Sequence, residues 1–145
     1  MENKLILKKS FQISASPSKV WEALTKPELV KQYFFGTELT TDWKKESPIF
    51  FRGVWEGKPY EDKGHILDIE KEKFIRYDYW SSFSGTEDIP ANYANISYEL
   101  SQKGGSTVLT ITQDGIKDQE ALNHSEQNWS MVMDGLKKLV EAVNV

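Results

Sequence analysis

Residues 119–143 read as one long amphipathic helix, and no other stretch restricts the fold as much. At 100° per residue, Leu122, Trp129, Val132, Met133, Leu136, Leu139, Val140 and Val143 fall within an arc of about 120°. Glu120, Glu126, Ser130, Asp134, Lys137, Lys138 and Glu141 take the opposite side. Asp118 is placed to cap the helix, with Glu120 in the first turn, where the helix dipole favours an anion. A helix of this size runs about 37 Å, enough to cross a small domain. Something broad and apolar must lie beneath it.

The rest of the chain supplies that surface. Leu5, Leu7, Phe11 and Ile13 alternate with polar residues and predict a first strand, with an irregularity near Lys9 and Ser10. Ser16 then caps a short helix that has Pro17 at its first position and an apolar face of Val20, Trp21 and Leu24. Pro27 opens a second short helix ending at Tyr33. From residue 37 the period switches to two, predicting strands near 37–41, 48–56, 60–70, 74–81, 93–101 and 107–113. Glu56-Gly57-Lys58-Pro59, Lys71-Glu72-Lys73 and Lys103-Gly104-Gly105-Ser106 carry turn chemistry, so the strands form an antiparallel meander. Residues 82–92 make the longest break and are expected to act as a mobile gate. The expected fold is therefore α+β: a curved antiparallel sheet of about seven strands, two short helices, and the long C-terminal helix gripping the sheet.

Bulk properties remove several classes of function. The 145 residues show no composition break, so one domain spanning residues 1–145 is expected. The net charge of −4 comes from 18 basic and 22 acidic residues mixed along the chain; no basic patch suited to nucleic acid stands out. Cysteine is absent, which excludes disulfides and thiolate chemistry and suits a reducing cytoplasm. Neither a signal peptide nor a membrane-spanning run is present, so no membrane partner is expected. Two histidines, His65 and His124, without cysteine are too few for a His/Cys metal cluster; no Asp/Glu spacing typical of a carboxylate site stands out, and no glycine-rich phosphate cradle occurs. No metal and no cofactor are expected. What stands out is the aromatic content: five Trp, six Tyr and seven Phe, suited to a dense core or to a cavity.

Three segments resemble the START-like (SRPBCC, helix-grip) superfamily, and within it the single-domain proteins similar to activators of the 90 kDa heat-shock-protein ATPase. They are the run from Ser16-Pro17-Ser18-Lys19-Val20-Trp21 to Leu29; Gly64-His65-Ile66-Leu67-Asp68-Ile69 with Ile75-Arg76-Tyr77-Asp78-Tyr79; and Asn128-Trp129 through Leu136-Lys137-Lys138-Leu139. The likeness spans nearly the whole chain. It implies the helix-grip fold and a choice among hydrophobic-ligand or lipid carriers, cyclase- or dehydratase-type enzymes, and chaperone partners linked to stress response. The activator that names the group has an additional N-terminal domain, which this sequence lacks.

The residues themselves rank these roles. Ile75, Tyr77 and Tyr79 form the more apolar face of their strand; Arg76 and Asp78, a candidate anion or acid–base pair, are expected on the solvated face. The expected cavity lining is Tyr77, Tyr79, Ile96, Tyr98, Leu109, Ser125, Trp129 and Met133, with Ile111 and Leu136 beside them. Ser125 interrupts the apolar arc one turn before Trp129; it is either a hydrogen-bonding group in a cavity or a hydroxyl bonded back to its own helix. His65 is placed at the cavity rim if Leu67 and Ile69 point inward, and otherwise in solvent. His124 falls away from the apolar arc and should be exposed. No catalytic residue is assigned. The leading expectation is a protein that binds a small hydrophobic molecule, aromatic or lipid-like, between sheet and helix. The alternatives are a partner of a 90 kDa heat-shock chaperone and a cyclase- or dehydratase-like enzyme. Whether the space is filled or open is left to the tertiary structure.

Overall fold

A computed structural model describes residues 5–34, 36–81 and 87–142 of the chain. The first strand, β1 (Leu5–Ile13), leads into α1 (Pro17–Thr25), where the Ser16 hydroxyl accepts from the Lys19 backbone N–H at 3.4 Å. Pro27 stops that helix: Lys26 before it is driven to extended backbone, φ −84° and ψ 119°, and α2 (Pro27–Tyr33) starts in a new direction. Six strands follow: β2 (Glu38–Thr41), β3 (Pro48–Trp55), β4 (Lys58–Glu70), β5 (Phe74–Tyr79), β6 (Ala94–Lys103) and β7 (Ser106–Ile116). The chain closes with α3 (Gln119–Ala142).

Every strand pairing among the described residues is antiparallel, in the order β1-β7-β6-β5-β4-β3-β2. The meander places consecutive strands side by side. The first strand is added at the far edge against the last, and the α1–α2 elbow carries the chain across to the opposite edge. α3 lies over the concave face, and this is the helix-grip arrangement. Asp118 caps it as expected, its Oδ1 accepting from the Ala121 N–H at 2.8 Å. Trp129, Val132, Met133, Leu136 and Val140 of α3 are buried, each worth about 1.5–3 kcal/mol of apolar transfer. Lys9 ties β1 to the outer side of α3 by bonding Ser130 at 2.8 Å and Glu126 at 3.3 Å. Gly135 lets α2 approach, since a Cβ there would stand 3.0 Å from the Tyr33 Cβ.

Two irregularities differ from the sequence reading. The register break in β1 falls between Leu5 and Leu7, not near Lys9 and Ser10, because it originates on the partner strand. There Asp114 and Gly115 oppose a single residue, and Gly115 adopts φ 69°, the left-handed conformation of a glycine bulge. The second break lies in β4, between Ile66 and Asp68. Of the expected gate, residues 82–86 lie outside the described residues, as does Val143 at the end of the helix. Residues 90–92 of the same segment form a single 3-10 turn.

Candidate functional site

The space beneath α3 divides into a packed part and an open part. Under its C-terminal half Met133, Leu136 and Val140 are buried in the core, and a separate void between the sheet and the short helices, bordered by Leu24, Ile49, Ile75 and Tyr98, holds about 10 Å3, no more than one water. Under its N-terminal half lies a cavity of about 530 Å3, within the range of sites for small organic molecules.

Strand register explains where the open part begins. Gln113, Ile96 and Tyr77 stand side by side across β7, β6 and β5, and all three line the cavity. The next inward row, Ile111, Tyr98 and Ile75, is buried behind it. Leu109 lies one row deeper, fully buried. From α3 come His124, Ser125, Asn128, Trp129 and Val132; from β3 and β4, Phe51, Tyr60 and Asp62; from β5 and its continuation, Tyr79 and Ser81. Phe34 and Thr37, which follow α2, complete the wall.

Four rings of the floor close a cycle of aromatic contacts through Tyr98, which lies behind them. Phe34 stacks on Phe51 at 6.1 Å between centroids, Phe51 meets Tyr77 at 5.8 Å, and Tyr77 meets Tyr98 at 5.5 Å. Tyr98 then meets Trp129 at 5.9 Å, and Trp129 returns to Phe34 at 6.3 Å, both edge-to-face. Such arrangements contribute about 0.5–1.5 kcal/mol per pair beyond area burial and hold the rings in fixed orientations.

Each buried polar tip on this floor is partnered. The Tyr77 and Tyr98 hydroxyls share a hydrogen bond of 2.7 Å, the Trp129 indole N–H donates to Gln113 Oε1 at 2.7 Å, and Tyr79 donates its hydroxyl to Asp62 Oδ2. Burial pushes the Tyr77, Tyr79 and Tyr98 phenols well above their ordinary pKa, with the Tyr98 ring adding to Tyr77 and the Asp62 carboxylate to Tyr79. They are neutral hydroxyls at neutral pH, able to orient a ligand but not to supply a charge. Thr37 and Tyr60 share a hydrogen bond of 2.5 Å at the polar side of the cavity.

Of the residues expected to line the cavity, Tyr77, Tyr79, Ile96, Ser125 and Trp129 do so. Tyr98, Leu109 and Met133 do not: they are buried in the packing behind it, together with Ile111 and Leu136. Rows of side chains repeat every second residue along a strand, so a correct face still extends past the open end. His65 takes the solvated one of its two expected positions, away from the cavity rim. Its side chain is 56% exposed on the outer face, where Nδ1 lies 3.2 Å from Asp78 Oδ1. Before the bulge, the inward residues of β4 are Tyr60, Asp62, Gly64 and Ile66; the bulge shifts the phase, so Ile69 packs on the core although His65 and Leu67 face solvent. Arg76 is exposed over the Phe74 ring, and Asp78 also accepts from the His65 backbone N–H at 2.6 Å, so that pair is outside the cavity.

Sequence reasoning missed Phe34, Thr37, Phe51, Tyr60, Asp62, Ser81, Gln113 and Asn128, and it read His124 only as exposed. The available signal was the alternation Tyr60-x-Asp62-x-Gly64-x-Ile66, which identifies the inward face of β4 once Ile66 is taken as core.

The family described as "Activator of Hsp90 ATPase homolog 1-like protein" matches residues 14–141. The chain belongs to that family. Among solved structures, ChR145 from Cytophaga hutchinsonii is 40% identical with a TM-score of 0.86, covering 100% of both chains. The Aha1 dimer from Colwellia psychrerythraea superposes with a TM-score of 0.74 at 16% identity, covering 94% of this chain and 96% of the other. CV1439 from Chromobacterium violaceum gives a TM-score of 0.76 at 20% identity, with coverages of 94% and 96%. At those two identities the likeness is one of fold. A search of curated proteins found no match. No described helix is long and apolar enough to cross a membrane.

Proposed function

We propose that the chain binds a small hydrophobic molecule, aromatic or lipid-like, in the cavity between the sheet and the N-terminal half of α3. The observation that carries this reading is a 530 Å3 space floored by Phe34, Phe51, Tyr77 and Trp129, beside a void of only about 10 Å3 in the packing next to it. An apolar ligand burying about 250 Å2 there would gain about 6 kcal/mol, equivalent to a Kd of tens of micromolar, before polar contacts. Hydrogen-bonding groups at Ser125, Asn128 and Tyr60 would orient it. The absence of cysteine supports a cytoplasmic setting.

A thermal-shift and native mass-spectrometry screen of lipids and flavonoid-like compounds tests the reading. Binding should appear as a one-to-one adduct with a raised Tm, and Ser125→Phe, which fills the mouth, should abolish both. Absence of stabilisation by every apolar compound would overturn it.

Membership in the Hsp90-activator-like family favours a second reading, interaction with a 90 kDa heat-shock chaperone. Its test is the ATPase rate of the chaperone from the same cell with and without added protein; an unchanged rate argues against it.

A further inference from the structure

The cavity is amphipathic in a directed way. Trp129, Val132 and Ile96 give the α3 side apolar surface beside the neutral polar groups of Gln113, Ser125 and Asn128, while the β4 side carries a carboxylate. Asp62 is only 8% exposed, lies on the inward face of its strand, and accepts from Tyr79. Phe51 is its cross-strand partner, and the Phe51 and Tyr79 rings meet edge-to-face at 5.6 Å. Tyr60 precedes it by two residues on the same face.

Among the described lining residues, Asp62 is the one carboxylate, and neither lysine nor arginine is present. Two basic residues beside it on β3 and β4 form ion pairs of their own: Arg52 with its cross-strand partner Glu61 at 2.7 Å, and Lys63 with Asp88. His124 stands on α3 at the solvent-exposed margin. A fixed carboxylate in a poorly hydrated space sets the sign of the potential there; it repels an anion and attracts a cation. The Phe51, Tyr60 and Tyr79 rings line the same part of the cavity, and a ring face open to a ligand attracts a cation because its quadrupole is negative above the plane.

We propose that the ligand is a cation: an amine or quaternary ammonium borne on a flat apolar body. The ammonium would sit against Asp62 among Phe51, Tyr60 and Tyr79, and the body beneath Trp129 and Val132. This rests on the ligand-binding role proposed above and narrows it, since free fatty acids and other carboxylates are selected against.

The test uses three probes sharing one apolar body, naphthylethylamine, naphthylpropionate and ethylnaphthalene, titrated by calorimetry into the full chain at neutral pH and low salt. The amine should bind about tenfold or more tighter than the carboxylate, with the neutral probe between them. Asp62→Asn should shrink that gap to within about threefold. Should the variant not fold, the three-probe comparison on the native sequence decides alone. A carboxylate that binds as well as the amine, beside a neutral probe that binds, overturns the cation preference and leaves the hydrophobic cavity standing. So does a gap that survives in a folded Asp62→Asn protein. Failure of all three probes overturns both.

Discussion

Gly64→Ala should be among the most damaging single-methyl changes in this chain, and its cost can be worked from the β4–β5 contact. A Cβ at Gly64 would stand 1.7 Å from the Asp78 carbonyl oxygen, a backbone atom with no flexible side chain to swing away. To reach ordinary contact the strands would have to part by about 1.5–2 Å. That movement breaks the bridge next to it, Lys63 N–H to Trp80 O at 3.0 Å and Trp80 N–H to Lys63 O at 2.8 Å. It also breaks the bond from the His65 N–H to Asp78 Oδ1 at 2.6 Å. At about 1 kcal/mol each these total about 3 kcal/mol, offset by the few tenths to about 1 kcal/mol that alanine saves in the unfolded chain. The expected net loss is about 2–3 kcal/mol, or a Tm lower by about 6–12 °C. Because the same strands hold Asp62 against Tyr79, apolar-probe affinity should fall as well. Urea unfolding beside Gly105→Ala provides the assay: Gly105 has nothing within 4 Å of its virtual Cβ. A Gly64→Ala protein within about 0.5 kcal/mol of the wild type would refute the reasoning, since ordinary surface changes fall in that range.

Tyr77→Phe and Tyr98→Phe should each destabilise by about 1–2 kcal/mol, because each leaves the other buried hydroxyl without its partner, whereas the double variant should cost clearly less than the two singles together. Additive denaturation energies would show that the two hydroxyls do not act as a pair. Burial holds the Tyr33, Tyr77, Tyr79 and Tyr98 phenols above their ordinary pKa, so above about pH 10 the unfolded chain releases protons that the native chain retains. Stability from these groups is therefore complete below that pH and falls as pH rises beyond it, by up to about 1.4 kcal/mol per unit for each tyrosine. Phenolate absorbance should rise together with unfolding; ionisation of all six tyrosines in a still-folded protein would contradict this. Asp118→Ala should cost about 0.5–2 kcal/mol through loss of the bond to the Ala121 N–H, with Asp118→Asn recovering most of it in the same urea assay.

Much of the architecture was legible because it depends on local periodicity. Alternation in residues 5–13 and 37–113 assigned the seven strands and the 3.6-residue repeat from 119 onward the long helix, while the caps at Ser16 and Asp118, with Pro17 and Pro27, gave the helix starts. Strand ends were less legible: β7 runs to Ile116, past the expected end at residue 113, through a bulge made by Gly115. The site was legible where the inward face was apolar, at Tyr77, Tyr79, Ile96 and Trp129. It was not legible at Asp62, because Tyr60-Glu61-Asp62-Lys63 reads as polar on both faces.

Sequence alone therefore determined the order of elements, the helix that covers the sheet, and the apolar face it must cover, since each follows from side-chain spacing within a dozen residues. Tertiary structure alone decided where that covered space stays open. The β4 bulge let Ile69 pack on the core while His65 and Leu67 before it face solvent, strand register buried Leu109 and Tyr98 behind the cavity row, and the fold brought Asp62 beside Phe51 and Tyr79. A cavity is set by how volumes from seven strands and three helices fit together, and that sum is long-range. Local pattern specifies what faces inward, whereas the meeting of distant surfaces specifies whether they touch.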